Sequence, residues 1–236
     1  MAFKRHDGRK INETREIEAK VGVIQKAQGS AYFRIGKTAA YAGVYGPREL
    51  HPKFLQNPKT GKLRCTYNCM PFSGTGERIR PGPSRRSKEI SMVTEGALLP
   101  VLDLSDYPNA VVDVFIEIPH MDAGSRCAGI CAAAMALADA GFKMSDIPVA
   151  VAAGCIEGNV FIDPDYMEEN PEGKEAADLP VAVLPRTGEI TLLQMDGELE
   201  PEKIQEMIEL VKEVAKSINE VQKNALKAKF DRGELQ

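Results

Sequence analysis

The chain has 236 residues, 43% of them hydrophobic and 27% charged, which is enough apolar material for a complete core in one large domain or two small ones. A formal net charge of −4 and a pI near 5.6 exclude a protein that coats nucleic acid by charge alone, so any nucleic-acid contact must be local. The longest uncharged apolar run, Cys127 to Ala138, is too short to span a bilayer, and the N-terminus is charged from Lys4 onward without a secretory signal's apolar stretch. The expectation is a cytoplasmic protein with no membrane association.

From Ile17 to Gly46 the pattern predicts strand, turn, strand, strand, broken at Gln28-Gly29 and Gly36-Lys37. A loop from His51 to Lys62 carries Lys53, Lys59 and Lys62, and Leu63 to Phe72 returns to strand character. After a second polar loop, Ser73 to Pro83, Ser84 caps a helix whose apolar positions Ile90, Val93, Ala97, Leu98 and Val101 follow the 3.6-residue period. Val111 to Ile118 is almost entirely apolar and reads as a strand buried on both faces, followed by an Ala-rich, central helix over Ala123 to Ala140. Strands over Ile147 to Ile156 and Asn159 to Asp163 precede an acidic loop, Pro164 to Ala177. Leu179 to Leu184 and Glu189 to Met195 form a hairpin, and an amphipathic helix runs from Pro201 to about Lys229. The fold class is α+β (mixed α/β), and no linker separates independent domains, so residues 1–236 read as a single domain.

Two helix starts depart from the usual charge rule. A helix N-terminus is electropositive and favours acidic residues, yet Arg85-Arg86 follows Ser84 and Arg126 follows Gly124-Ser125. Free N–H groups, a glycine, a hydroxyl and a guanidinium fork make a phosphate site; the competing reading pairs these arginines with surface carboxylates. Asp178 ends the acidic loop and begins a strand, a good place for a general acid or metal ligand, while most of Glu168, Glu169, Glu172 and Glu175 read as solvated charges. One of them could complete an Mg²⁺ or Mn²⁺ site with Asp178, since hard oxygen ligands suit those ions. The pairs Cys65/Cys69 and Cys127/Cys131 each share a face, but buried thiols acting as small hydrophobes are expected in place of a metal site.

Five segments carry a resemblance: HDGRKINETREI, GSAYFRIGKTAAYAGVYGPRE, PFSGTGERIRPGPSRRSKEIS, VDVFIEIPHMDAGSRCAGICAAAMALADAG and ADLPVAVLPRTGEITLLQMDGEL. In that order they resemble the RNase PH family, and the likeness runs from about Asp7 to Phe230. The resemblance implies an RNase PH fold and phosphate-dependent removal of nucleotides from the 3′ end of single-stranded RNA. It also implies a hexameric ring alternating with a non-catalytic paralogue and capped by RNA-binding subunits. By similarity Arg85 and Arg86 hold the RNA backbone, and Gly124, Ser125 and Arg126 bind inorganic phosphate, the co-substrate. Asp178 is the general acid and a ligand for Mg²⁺ or Mn²⁺. A second acidic residue stands six positions upstream in related enzymes, at Glu172 here. The loop EENPEGKEAAD is about two residues longer than the family form, which leaves Glu168 and Glu169 as alternatives. The lysine-rich loop corresponds to the segment narrowing the ring's entrance, where Lys53, Lys59, Lys62 and Arg64 would meet incoming RNA. Rival readings are a homohexameric enzyme trimming tRNA 3′ ends and a non-catalytic ring subunit that only binds RNA.

Overall fold

The computed structural model describes residues 4–171, 173 and 175–231. Glu172 therefore lies outside the described residues. Strands β1 (Ile17–Val21), β2 (Gly29–Ile35), β3 (Thr38–Glu49), β4 (Lys62–Cys69) and β5 (Ala110–His120) form one sheet in the order β1-β2-β3-β5-β4. Every pairing in it is antiparallel except β4 with β5, which is parallel. A parallel pair needs a crossover, and helix α1 (Arg85–Leu98) lies on that crossover. Strands β6 (Val149–Ile156), β7 (Asn159–Ile162), β8 (Ala176–Val183) and β9 (Ile190–Leu193) form a second, wholly antiparallel sheet in the order β7-β6-β8-β9.

Helix α2 (Ser125–Asp139) lies between the sheets, touching β2, β3 and β5 on one side and β6 and β8 on the other. It is buried without interruption from Cys127 to Leu137, which explains why the sequence offers no polar stripe there. Alanines let the backbones approach closely. The tightest approach is at Gly29, where an added Cβ would lie 2.2 Å from the backbone nitrogen of Ala140 and 2.4 Å from the carbonyl oxygen of Ala136. One continuous hydrophobic core runs from Phe33 and Val114 through Ile130 and Met135 to Val151 and Val181. The amphipathic helix α4 (Pro201–Asp231) covers the second sheet and packs on β1, and buries Met207, Val211, Ala215 and Ile218. No helix among the described residues is long and apolar enough to cross a membrane.

Three elements differ from the sequence expectation, one of them the short helix α3 (Tyr166–Glu169), which forms inside the stretch Pro164 to Ala177 expected to be a loop. Strand β5 is covered by α2 on one face only; Phe115 on the opposite face is 42% exposed, and an apolar run alone cannot reveal which face lacks a cover. The first helix ends at Leu98, and a 3₁₀ turn over Leu99–Val101, with Pro100 inside it, supplies Val101 to the core.

Candidate active site

The parallel pair explains why the two arginine-bearing helix starts meet. Strands β4 and β5 run in the same direction in register, Cys69 opposite Ile118, so both deliver the chain to the same end of the sheet. Beyond β4 the loop reaches Ser84 and α1; beyond β5 a four-residue turn, Met121 to Gly124, enters α2. Sites at the carboxyl ends of parallel strands are the general outcome of this arrangement.

Ser84 caps α1 in a capping box, its Oγ accepting from Ser87 N while the Ser87 hydroxyl accepts from Ser84 N. With the cap closed, Arg85 and Arg86 are exposed and have no ion-pair partner among the described residues. Helix α2 is different: Gly124, at φ 67°, occupies its N-cap and no side chain caps it. Ser125 Oγ is buried and accepts from the Tyr67 hydroxyl at 2.9 Å. Arg126 leans on α1, with Nη2 3.4 Å from Glu89 Oε1, and its buried Nε has no partner among the described residues. Glu89 also accepts from Gln194 Nε2 at 3.0 Å, which fixes the guanidinium from behind.

A cavity of about 470 Å³ joins these groups to the second sheet, with Arg86, Gly124, Ser125, Arg126, Glu169 and Asp178 among its lining residues. Asp178 sits inside β8 instead of at its start, opposite Gly154 on β6 and exchanging both backbone hydrogen bonds with Asp196. Asp196 also lines the cavity. Burial pushes the Asp178 carboxyl up to about 6; Arg126 opposes the rise and Asp196 adds to it. Its Oδ1 is buried with no hydrogen-bond partner among the described residues.

The structure separates the candidate companions of Asp178. Glu168 is 5% exposed and held by Arg5, whose Nε and Nη2 donate to its two carboxylate oxygens at 2.8 and 2.6 Å. Breaking such a buried pair costs about 3–5 kcal/mol, so Glu168 anchors the N-terminal arm. Glu169, one residue on in the short helix α3 (Tyr166–Glu169), faces the cavity. Burial pushes it up to about 7, Asp178 adds to the rise, and a hydrogen bond from Gly124 N–H opposes it. Asp178 and Glu169 thus crowd one wall while Arg86 and Arg126 hold the other.

The lysine-rich loop is elsewhere. It enters β4 at Lys62, the opposite end from Cys69, and an eight-residue strand spans roughly 23 Å, so Lys53, Lys59 and Lys62 do not join the cavity. Lys53 lies in a 3₁₀ turn, Lys53–Leu55, beside Phe54, which is 85% exposed. Arg64 is engaged: its Nε and Nη2 donate to both oxygens of Asp113 at 2.5 and 3.0 Å.

Sequence reasoning missed three contributors. Arg15 donates to both oxygens of Asp163 and to the carbonyl of Ala123, tying the turn before α2 to the end of β7. Its partners lie more than a hundred residues away, and nothing local signals them. Asp196 and Tyr67 are ordinary strand-region residues until the sheets pack. Among the described residues no group of three or more His, Cys, Asp or Glu side chains, the cysteine pairs included, is placed to hold a metal ion. Burial drives the Cys65, Cys127 and Cys131 thiols up, Cys131 to about 12.

Two family models match in tandem: 3′ exoribonuclease family, domain 1 over residues 13–143, and domain 2 over residues 146–214. The chain is 51% identical over 227 residues to the exosome complex component Rrp41 of Thermococcus gammatolerans, covering 96% of this chain and 90% of that one. It is 47% identical over 226 residues to the component of the same name from Methanopyrus kandleri, with 96% and 93% covered. An Archaeoglobus fulgidus exosome structure with RNA bound to the active site superposes with a TM-score of 0.78 at 23% identity, over 92% of each chain. The family matches, the high identity along nearly the whole length and the shared fold place this chain in the RNase PH, or 3′ exoribonuclease, family.

Proposed function

We propose that this chain is a catalytic subunit of an exosome ring and shortens RNA from its 3′ end with inorganic phosphate as the nucleophile. One observation carries the reading: the uncapped start of α2, with the Nε of Arg126 that has no partner among the described residues, opens into the same cavity as the protonatable Asp178. A scaffold that merely binds RNA has no use for an anion cradle facing a buried acid. The relatives named as exosome components support the ring assignment.

Phosphate would be held by the Ser125 hydroxyl, the α2 N–H groups and Arg126, while Arg85 and Arg86 hold the RNA backbone. One phosphate oxygen attacks the phosphorus of the last phosphodiester, and the bond from that phosphorus to the upstream 3′-oxygen breaks. Asp178, raised to about 6, carries a proton for the leaving oxygen in part of the molecules at neutral pH. The product is a nucleoside diphosphate, which makes the enzyme a nucleotidyl transferase and not a hydrolase. Positioning and charge neutralisation supply the catalysis.

A divalent cation fits this wall. The orphaned Oδ1 of Asp178 offers one hard ligand, and Mg²⁺ commonly takes one or two carboxylates and fills its shell with water and substrate phosphates. Asp178 would hold Mg²⁺ or Mn²⁺ with Glu169 or Asp196 beside it, and the ion would supply neutralisation of negative charge at the phosphates. The partners in this reading are single-stranded RNA, a non-catalytic RNase PH-like paralogue in a six-membered ring and RNA-binding cap subunits. Lys53, Lys59, Lys62 and the exposed Phe54 would guide RNA toward the chamber.

The reaction exchanges one phosphoester bond for another phosphate linkage, so the same site must also run backwards. With excess nucleoside diphosphate, Mg²⁺, a short RNA primer and little phosphate, the assembled enzyme should add an untemplated tail. Ser125→Ala with Arg126→Ala should abolish shortening and tailing together, and loss of only one direction would overturn the shared site.

A further inference from the structure

Tyr67 is a buried titratable group that the mechanism above does not use. It points inward from β4 and is 2% exposed. Two polar contacts tie it to both helices of the site: its backbone N–H donates to Ser91 Oγ on α1 at 2.9 Å, and its hydroxyl donates to Ser125 Oγ on α2 at 2.9 Å. The Cys69 thiol donates to the same phenol oxygen at 3.4 Å. The phenol oxygen thus accepts from Cys69 and gives its single proton to Ser125. Ser125 Oγ, accepting from below, keeps its own proton for a partner on the cavity side. Gly129, one turn along α2, lets the helix pack close to β5 and the ring: a Cβ there would lie 3.2 Å from Ile116 Cγ2 and in ordinary contact, at 3.4 and 3.5 Å, with Tyr67 Cε2 and Cδ2. Burial, helped by Cys69, drives the Tyr67 pKa far above its ordinary value, so the phenol stays a donor at every working pH.

We propose that Tyr67 is a positioning residue for the phosphate nucleophile: its hydroxyl sets the orientation of Ser125 so that the serine O–H is presented to bound phosphate. This rests on the reading of Ser125 as a phosphate ligand. Without the phenol, Ser125 can turn its proton inward and must be reoriented each time phosphate binds.

The test is a double-mutant cycle in the assembled enzyme, reading KM for phosphate, KM for RNA and the melting curve. Tyr67→Phe keeps the ring and removes one oxygen. It should raise KM for phosphate about fivefold, the worth of one hydrogen bond, with KM for RNA within about twofold. Ser125→Ala should raise KM for phosphate at least as much, and adding Tyr67→Phe to it should change nothing further. An unchanged phosphate KM in Tyr67→Phe beside an impaired Ser125→Ala overturns the positioning role alone, as do additive effects in the double variant. If Ser125→Ala itself leaves the phosphate KM unchanged, the phosphate-ligand reading falls and this inference falls with it.

Discussion

Replacing Asp178 by Asn should stabilise the fold at pH 8 while abolishing its chemistry. The carboxyl rises from its ordinary 3.8 to about 6 because it is buried and faces Asp196, against the opposing pull of Arg126. A folded-state value above the unfolded one means that the unfolded chain releases its proton first. Folding is therefore penalised increasingly as pH rises through that interval, from about 4 to about 6, and the penalty is complete above about pH 7. The gap corresponds to at most about 3 kcal/mol, and solvent in the open cavity lowers this to about 1–3 kcal/mol. Urea unfolding of the wild type and Asp178→Asn, at pH 8 and at pH 4, should show the variant more stable by that amount at pH 8 and level with the wild type at pH 4. Turnover should fall by about a hundredfold or more, with RNA affinity within a few-fold. A variant less stable than wild type at pH 8, or equally stabilised at both pH values, would show that Asp178 does not carry a strained charge.

Other predictions bear on separate parts of the site. Mg²⁺ at millimolar concentration should raise the melting temperature of the wild type at pH 8 but not that of Asp178→Asn; equal rises would place the cation elsewhere. Arg85→Ala with Arg86→Ala should flatten the dependence of log RNA affinity on log salt by about one unit for each RNA phosphate that the two guanidinium groups neutralise, and an unchanged slope would return them to ordinary surface charges. Asp178→Asn removes the negative neighbour that helps hold the Glu169 carboxyl up, so Glu169 should titrate lower in that variant when followed by NMR; an unmoved titration would uncouple the two carboxyls.

Local signals made the long helices and most strands legible. The Ser84 cap, the unbroken apolar run of α2 and the Pro201 start of α4 are short-range features, and each stands at the position that its local pattern predicts. The one-sided burial of β5 and the placing of Asp178 within β8 depend on what packs beside them, which periodicity does not contain. At the site, the misplaced charge of two helix starts was visible, since an arginine in a first turn asks for an anion. Which of Glu168 and Glu169 faces the cavity was not, because Arg5, more than 160 residues away in sequence, claims Glu168. Tyr67 and Arg15 act through contacts across the fold for the same reason.

The most direct test of phosphate as nucleophile follows its atoms. Unlabelled RNA is incubated with the assembled enzyme, Mg²⁺ and radiolabelled orthophosphate, and the products are separated and digested to locate the label. The account predicts nucleoside diphosphates labelled in the β-phosphate only, formed in proportion to nucleotides removed and absent without phosphate. Unlabelled nucleoside monophosphates, released in phosphate-free buffer by a preparation free of contaminating nucleases, would contradict it.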